Sequence, residues 1–299
     1  MSLKNNILIV GGTGFIGYHL AKKSLKKGWK VTSISSKRPR KKRYLPQVKY
    51  IICDITKKKS LRKNIQKSFN YVVNLGGYVD HSNRKITFKS HYIGCKNLTE
   101  IFLKKELIAF VQMGSSAEYG NVKSPQKENA KCKPKSVYGQ DKLLSSTYLI
   151  DLFKKQKFPS TILRLYNTYG SRQDLNRFIP IVISGCTKNK KFPCSIGNQV
   201  RDFLHIDDVV DAILKSLTNK NARGQIINIG SGKPRIIKKI IEYIKKISKG
   251  GYPLFGKVKL RRDEILTVYP DINKARNKIG WRPKISFKKG LKVTIDSFK

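Results

Sequence analysis

Through the first half of the chain, short apolar runs alternate with stretches whose apolar residues recur at helical spacing. NILIVGG, KVTSIS, VKYIICDI, YVVNLGG and AFVQMGSS are the runs, each of a length suited to a buried strand. FIGYHLAKKSLKKG reads as an amphipathic helix, and SLRKNIQKSF and CKNLTEIFLKKE as further helical segments between later runs. A sixth strand, STILRLYN, follows a helix that starts near VYGQDKLLSSTYLIDLFKK. Strand–helix alternation of this kind predicts an α/β fold, a doubly wound parallel sheet of Rossmann type covered on both faces. Beyond Tyr166 the pattern loosens into loops and short elements, as expected of a smaller C-terminal α/β part that holds a ligand. The expected division is therefore 1–165 and 166–299, with about 200–232 returning to the main sheet through the run GQIINIGSG.

Two stretches add chemistry to this pattern. GGTGFIG lies between the first strand and the first helix, the context in which a glycine run has a physical meaning. Gly11 allows the tight turn, Gly14 lets backbone approach a pyrophosphate, and Gly17 permits close helix–sheet packing. The spacing is GxxGxxG. A dinucleotide-binding loop is the reading favoured over an ordinary strand–helix turn.

The end of the second strand distinguishes the two dinucleotides. An acid there bonds the ribose 2′-hydroxyl of NAD, whereas a cation accommodates the 2′-phosphate of NADP. This chain reads SISSKRPRKKR, with Ser35 and Ser36 at the acid's place, followed by Lys37, Arg38 and Arg40. NADP is expected, with NAD as the alternative. Further on, YGQDK sets Tyr138 and Lys142 on one face of a helix. A tyrosine ordinarily titrates near pH 10, and a neighbouring ammonium favours the phenolate, so such a pair can exchange a proton near neutrality.

Composition narrows the setting. No apolar run is long enough to span a bilayer, and the N-terminus enters a strand directly, without the shape of a signal peptide. Five cysteines without a CxxC pair suggest reduced thiols in a cytoplasmic protein, and four scattered histidines offer no metal-ligand spacing, so no metal is expected. A net charge of +46 fits either a polyanion-binding surface or a lysine-rich composition of the source genome. Lysines are spread along the whole chain instead of clustering with aromatic residues, which favours the second reading and makes nucleic acid an unfavoured partner.

The order of these elements (glycine loop, strand ending in GSSAEYG, then YxxxK) resembles the extended short-chain dehydrogenase/reductases, the NAD-dependent epimerase/dehydratase group that modifies nucleotide sugars. The resemblance extends through CDI, NLGG, LRLYNTYG, RFIP, GNQVRDFLHIDDVVDAI and DINKARNKIGWRPKISFKKGL, nearly the whole chain. It implies Ser115, Tyr138 and Lys142 as the catalytic set. It implies cofactor contacts from Gly11, Gly14, Phe15, Ile16, Gly17, Ser35, Ser36, Lys37, Arg38, Asp54, Ile55, Leu75, Gly76 and Gly77, together with Tyr138 and Lys142. Ser115, Ser116, Asn167, Arg201 and Arg261 are implied on the substrate side, the last three at the diphosphate of a nucleotide-diphosphate sugar. Arg201 has a structural alternative, pairing with Asp202 or Asp208. A homodimer without membrane attachment is implied as well.

Departures from the family pattern are as informative. The related 4,6-dehydratases place Asp-Glu where this chain has Ser116 and Ala117. GDP-fucose synthase places a cysteine and a histidine at the positions of Ala117 and Arg177. His91 stands where the family commonly has an asparagine. The residues thus equip the site for hydride and one proton. An NADPH-dependent 4-ketoreductase is expected, similar to the CDP-abequose synthase-like reductases. An NAD-dependent 4-epimerase is the runner-up, and a non-catalytic RNA-binding protein on the same scaffold is the third reading.

Overall fold

The computed structural model describes residues 5–78, 83–260 and 264–298. Its centre is a seven-stranded sheet made of β1 (Asn6–Val10), β2 (Lys30–Ser35), β3 (Lys49–Ile52), β4 (Tyr71–Asn74), β5 (Ala109–Ser115), β6 (Ser160–Leu165) and β11 (Gln225–Ile229). The spatial order is β11-β6-β5-β4-β1-β2-β3 and every pairing is parallel. Period-2 alternation sorts the apolar residues of each strand between two cores. Ile7 and Ile9 of β1 enter one core, whereas Leu8 and Val10 enter the other.

Helices α1 (Phe15–Lys26), α7 (Ile206–Thr218) and α9 (Asn273–Ile279) cover the first face. The second is covered by α2 (Lys58–Asn64), α4 (Gly94–Phe102) and α5 (Val137–Gln156). A short helix, α3 (Arg84–Phe88), runs through one π-helical turn (Lys89–Ile93) into α4, and His91 lies within that turn. Because β1 and β4 are neighbours whose chains leave toward opposite faces, a crevice opens between their C-terminal ends. In such sheets that crevice is where ligands bind.

The C-terminal part is more regular than its sequence suggests. It builds a third core from α6 (Phe178–Thr187), α8 (Ile237–Ser248) and α10 (Phe287–Asp296), around Phe192, Phe203 and Tyr169. Small sheets frame this core. β7 (Asn167–Tyr169) pairs with β10 (Phe203–His205), and β8 (Lys191–Pro193) pairs with β13 (Tyr252–Leu254). β9 (Val200–Arg201) lies between β12 (Arg235–Ile236) and β14 (Thr267–Val268). None of the described helices is long and apolar enough to cross a membrane.

The last segment is fastened to α7 by Trp281, which is fully buried and donates its indole N–H to the Asp208 carbonyl at 3.1 Å. The Asp208 carboxylate in turn accepts the backbone N–H groups of Lys284 and Ile285, each at 3.0 Å. Truncating such an indole leaves a large cavity and an unpaired carbonyl. Trp281→Ala should therefore lower stability by about 3–5 kcal/mol, read from the urea midpoint. A loss below about 1 kcal/mol would mean that this segment is not anchored there.

Candidate active site

The glycine loop is shaped by contacts that no side chain could share. Gly11 has φ +78°, and its N–H donates to the Ile34 carbonyl at 2.7 Å while its own carbonyl accepts from Gly14 N–H at 3.0 Å. A Cβ at Gly17 would lie 2.4 Å from the Gly11 oxygen, so α1 can rest on this turn only as glycine. Gly14 caps α1 with no side-chain hydrogen bond. Among the described residues no side chain caps the first-turn amides, those of Phe15 and Ile16 among them, an arrangement that suits a pyrophosphate.

The other expected cofactor residues gather along the same edge. Leu75 N–H donates to the Val10 carbonyl at 2.9 Å and Gly76 N–H to the Asn74 side chain at 3.0 Å. A Cβ on Gly77 would lie 2.1 Å from the His91 ring, so the histidine fills the space that glycine leaves. The Asp54 carboxylate, after β3, accepts from Thr56 N–H at 2.9 Å, and Ile55 is buried against Gly76 and Gly94. Ser35 lies at the end of β2 and accepts from Thr13 N–H at 3.4 Å. Ser36, Lys37 and Arg38 are exposed beyond it. Arg40 and Arg43, by contrast, turn to Asp174, at 3.2 and 3.0 Å. The residues present fit a nicotinamide dinucleotide.

Ser115 ends β5, half-buried. Its hydroxyl oxygen accepts from Ala117 N–H at 3.2 Å, which leaves the hydroxyl proton available to a substrate oxygen. Ser116 follows in a one-turn 3₁₀ helix (Ser116–Glu118) and is half-buried too. Helix α5 starts close by, capped by Ser136, whose hydroxyl accepts from Gly139 N–H at 3.1 Å. A Cβ at Gly139 would lie 2.4 Å from the Ala117 carbonyl oxygen, so the start of α5 presses directly on the turn after Ser115. This contact brings Tyr138 to the end of β5. Lys142, one turn on, is 5% exposed; its ammonium sits 5.8 Å from the Tyr138 ring centre and donates to the Met113 carbonyl at 2.7 Å. His91 meets the same tyrosine edge-on, with ring centres 5.1 Å apart, while its Nε2 lies 3.2 Å from the Tyr78 carbonyl.

On the far side a cavity of about 390 Å³ opens among Asn167, Phe178, Phe203, Gln199, Arg201 and Glu264. Asn167 donates its amide to the Asp202 carbonyl at 3.0 Å. The Arg201 guanidinium donates to the carbonyls of Val200 and Leu266, each at 2.9 Å, and pairs with Glu264. The structural alternative for Arg201 named the wrong partners. Asp202 is engaged by Ser231 N–H and hydroxyl, both at 2.7 Å, and by Lys233 N–H at 3.2 Å, and its burial raises its carboxyl above the usual range. Asp208 belongs to the Trp281 clasp. Arg261 lies outside the described residues. Among those described, no cluster of His, Cys, Asp and Glu could hold a metal ion.

Sequence reasoning missed Glu118. Its fully buried carboxylate pairs with Arg164 at 2.8 Å, and Arg164 lies over the Tyr119 ring at 4.4 Å. Burial pushes the Tyr119 phenol up to about 12 against the pull of Arg164, and the phenol donates to Asn228 at 2.7 Å. The pattern Ser115-x-x-Glu118, a capping box, was the available signal.

A protein of Methanocaldococcus jannaschii, provisionally named UDP-glucose 4-epimerase, is 30% identical over 306 residues, covering 98% of each chain. CDP-abequose synthase of Salmonella muenchen is 26% identical over 302 residues, covering 99% of this chain and 98% of its own. The solved UDP-glucose 4-epimerase of Thermotoga maritima, in complex with UDP-glucose, superposes with a TM-score of 0.93 at 25% identity, covering 98% of both chains. Residues 7–230 match the model of the NAD dependent epimerase/dehydratase family, and the chain belongs to that family.

Proposed function

We propose that the protein reduces the 4-keto group of a nucleotide-linked deoxysugar with NADPH. The observation that carries this reading is the end of β2. Ser35 stands at the position where an acid selects NAD, and Lys37 and Arg38 follow it exposed, with no ion pair among the described residues. Arg40 and Arg43 are held by Asp174, whereas Lys37 and Arg38 lie exposed directly after Ser36, where a 2′-phosphate would be met.

When bound in the crevice, the nicotinamide supplies hydride to carbon. The protein's part is to manage the oxygen. Ser115 donates its hydroxyl proton in a hydrogen bond to the carbonyl oxygen, and the Tyr138 phenol gives that oxygen its proton, so that a carbonyl becomes an alcohol. The Lys142 ammonium, buried beside the Tyr138 ring, stabilises the charge left on the phenol. Ser116 and Ala117 bring no acid for eliminating water, and Ala117 and Arg177 bring no acid/base pair for inverting neighbouring carbons. Asn167, Arg201 and Arg261 are proposed to hold the diphosphate. A planar guanidinium at Arg201 matches phosphate oxygens bidentately. The 26% identity to CDP-abequose synthase across the chain supports this reading.

A second reading has an observation of its own. Several of the similar proteins are named 4-epimerases of UDP-sugars, that of Methanocaldococcus jannaschii provisionally. An epimerase could use the same Ser115, Tyr138 and Lys142, with hydride removed and then returned to the opposite face of the sugar.

Two outcomes follow from the reductase reading. NADPH should bind at least about tenfold tighter than NADH, a difference of ~1.4 kcal/mol, in a calorimetric titration of each. Equal affinities, or a preference for NADH, would refute the role given to Ser35 through Arg38. Tyr138→Phe should cut turnover of a nucleotide 4-ketosugar by about 10²–10⁴ while NADPH affinity stays within about twofold. Retained turnover in that variant would remove Tyr138 from the chemistry.

A further inference from the structure

Three groups around the serine converge on one carboxylate. Glu118 is wholly shielded from solvent at the base of the site. One of its oxygens accepts the backbone N–H of Ser115 at 2.8 Å. The other accepts the Ser146 hydroxyl of α5 at 2.8 Å and the Nε–H of Arg164 on β6, also at 2.8 Å. Gly114 makes this possible, because a Cβ there would lie 2.5 Å from the first oxygen. Tyr138, Lys142 and Ser146 recur at one-turn spacing along the same helix. The carboxylate therefore ties the strand that ends in Ser115 to the helix that bears the other two reactive side chains.

We propose that Glu118 is a positioning residue that fixes Ser115 against α5, and so fixes the distance between the serine hydroxyl and the Tyr138 phenol. Arg164 pairs with the carboxylate at 2.8 Å in an interior where an unpartnered polar group would be costly. Arg164 is itself braced by the Tyr119 ring, and Tyr119 by Asn228, whose amide donates to the Gln126 carbonyl at 2.9 Å and the Asp271 carbonyl at 3.3 Å. The serine is thus braced from below by a connected polar network, and its hydroxyl remains free to face the substrate. A residue that acts in this way governs the rate of the chemical step and leaves binding of the nucleotide parts alone. The proposal rests on Ser115 acting on the substrate oxygen, a role the reductase and epimerase readings share.

Glu118→Gln tests it, because glutamine keeps the shape but replaces one acceptor oxygen with a donor. With its oxygen toward Ser146 and Arg164, its NH₂ would meet the Ser115 N–H donor to donor. The variant should lose at least about tenfold in kcat, with KM and NADPH affinity within about threefold of wild type. Adding the substitution to Ser115→Ala should cost nothing further, since the residue works through the serine. Hydrogen exchange at the Ser115 amide should speed up, a readout that needs no turnover. If wild type reduces no ketosugar, the reductase reading fails, and the same kinetic cycle is run on 4-epimerase turnover. Should Glu118→Gln fail to fold, Ser146→Ala removes the helix-side bond alone and should lower kcat several-fold at unchanged KM. Losses that add to those of Ser115→Ala, a kcat unchanged by these substitutions, or a Ser115 amide equally protected in Glu118→Gln, would overturn the proposal.

Discussion

A single carbon atom added to Gly139 would lie 2.4 Å from the carbonyl oxygen of Ala117, and the arrangement of the candidate active site depends on that space being empty. The contact lets α5 start directly on the turn that follows Ser115. Tyr138 is the residue before that glycine, so its backbone stands beside the turn that ends β5, with its ring against Lys142 and His91. Lys142 follows one turn later, and Ser146 one turn after that. Close approach of backbone to backbone recurs at Gly17 on Gly11 and at Gly114 under Glu118. The glycines are the means by which parallel strands and their covering helices converge at one edge of the sheet.

Around that edge, charge is assigned with economy. The chain has a net charge of +46, yet acids take up selected cations. Asp174 holds Arg40 and Arg43, Glu118 holds Arg164, and Glu264 holds Arg201. Pairing at Arg201 has a consequence for binding. A phosphate entering there meets a guanidinium already oriented by two carbonyls, beside a carboxylate that repels the incoming anion. In the proposed role of Arg201, a substrate diphosphate would have to displace Glu264 or share the guanidinium with it.

The main sheet could be read from the sequence because each of its strands is a compact apolar run bounded by turn residues. Even β11, far along the chain, kept that signature in QIINI. The glycine loop and the YxxxK helix were readable for a related reason: their chemistry is local and needs only the right element on either side. The C-terminal part was harder. In α8 the isoleucines of one face are interspersed with lysines in IKKIIEYIKKIS, and the general excess of lysine hid a strongly amphipathic helix. Its core forms only when α6, α8 and α10 meet, a matter of tertiary contact. Partners were least accessible of all. Arg201 finds Glu264 and Tyr119 finds Asn228 across long stretches of chain, and no spacing rule connects them. The fate of Arg40 was likewise hidden, since Asp174 reaches it from a loop of the second half.

The central claim is that this site moves hydride one way, from an exchangeable cofactor onto the sugar. It is tested most directly by supplying NADPH deuterated at C4 of the nicotinamide ring together with a nucleotide 4-ketosugar, and locating the label by NMR and mass spectrometry. The account predicts one deuterium at C4 of the sugar for each NADPH consumed. Interconversion of UDP-hexose epimers without incorporation of the label, and with NADPH left unspent, would contradict it.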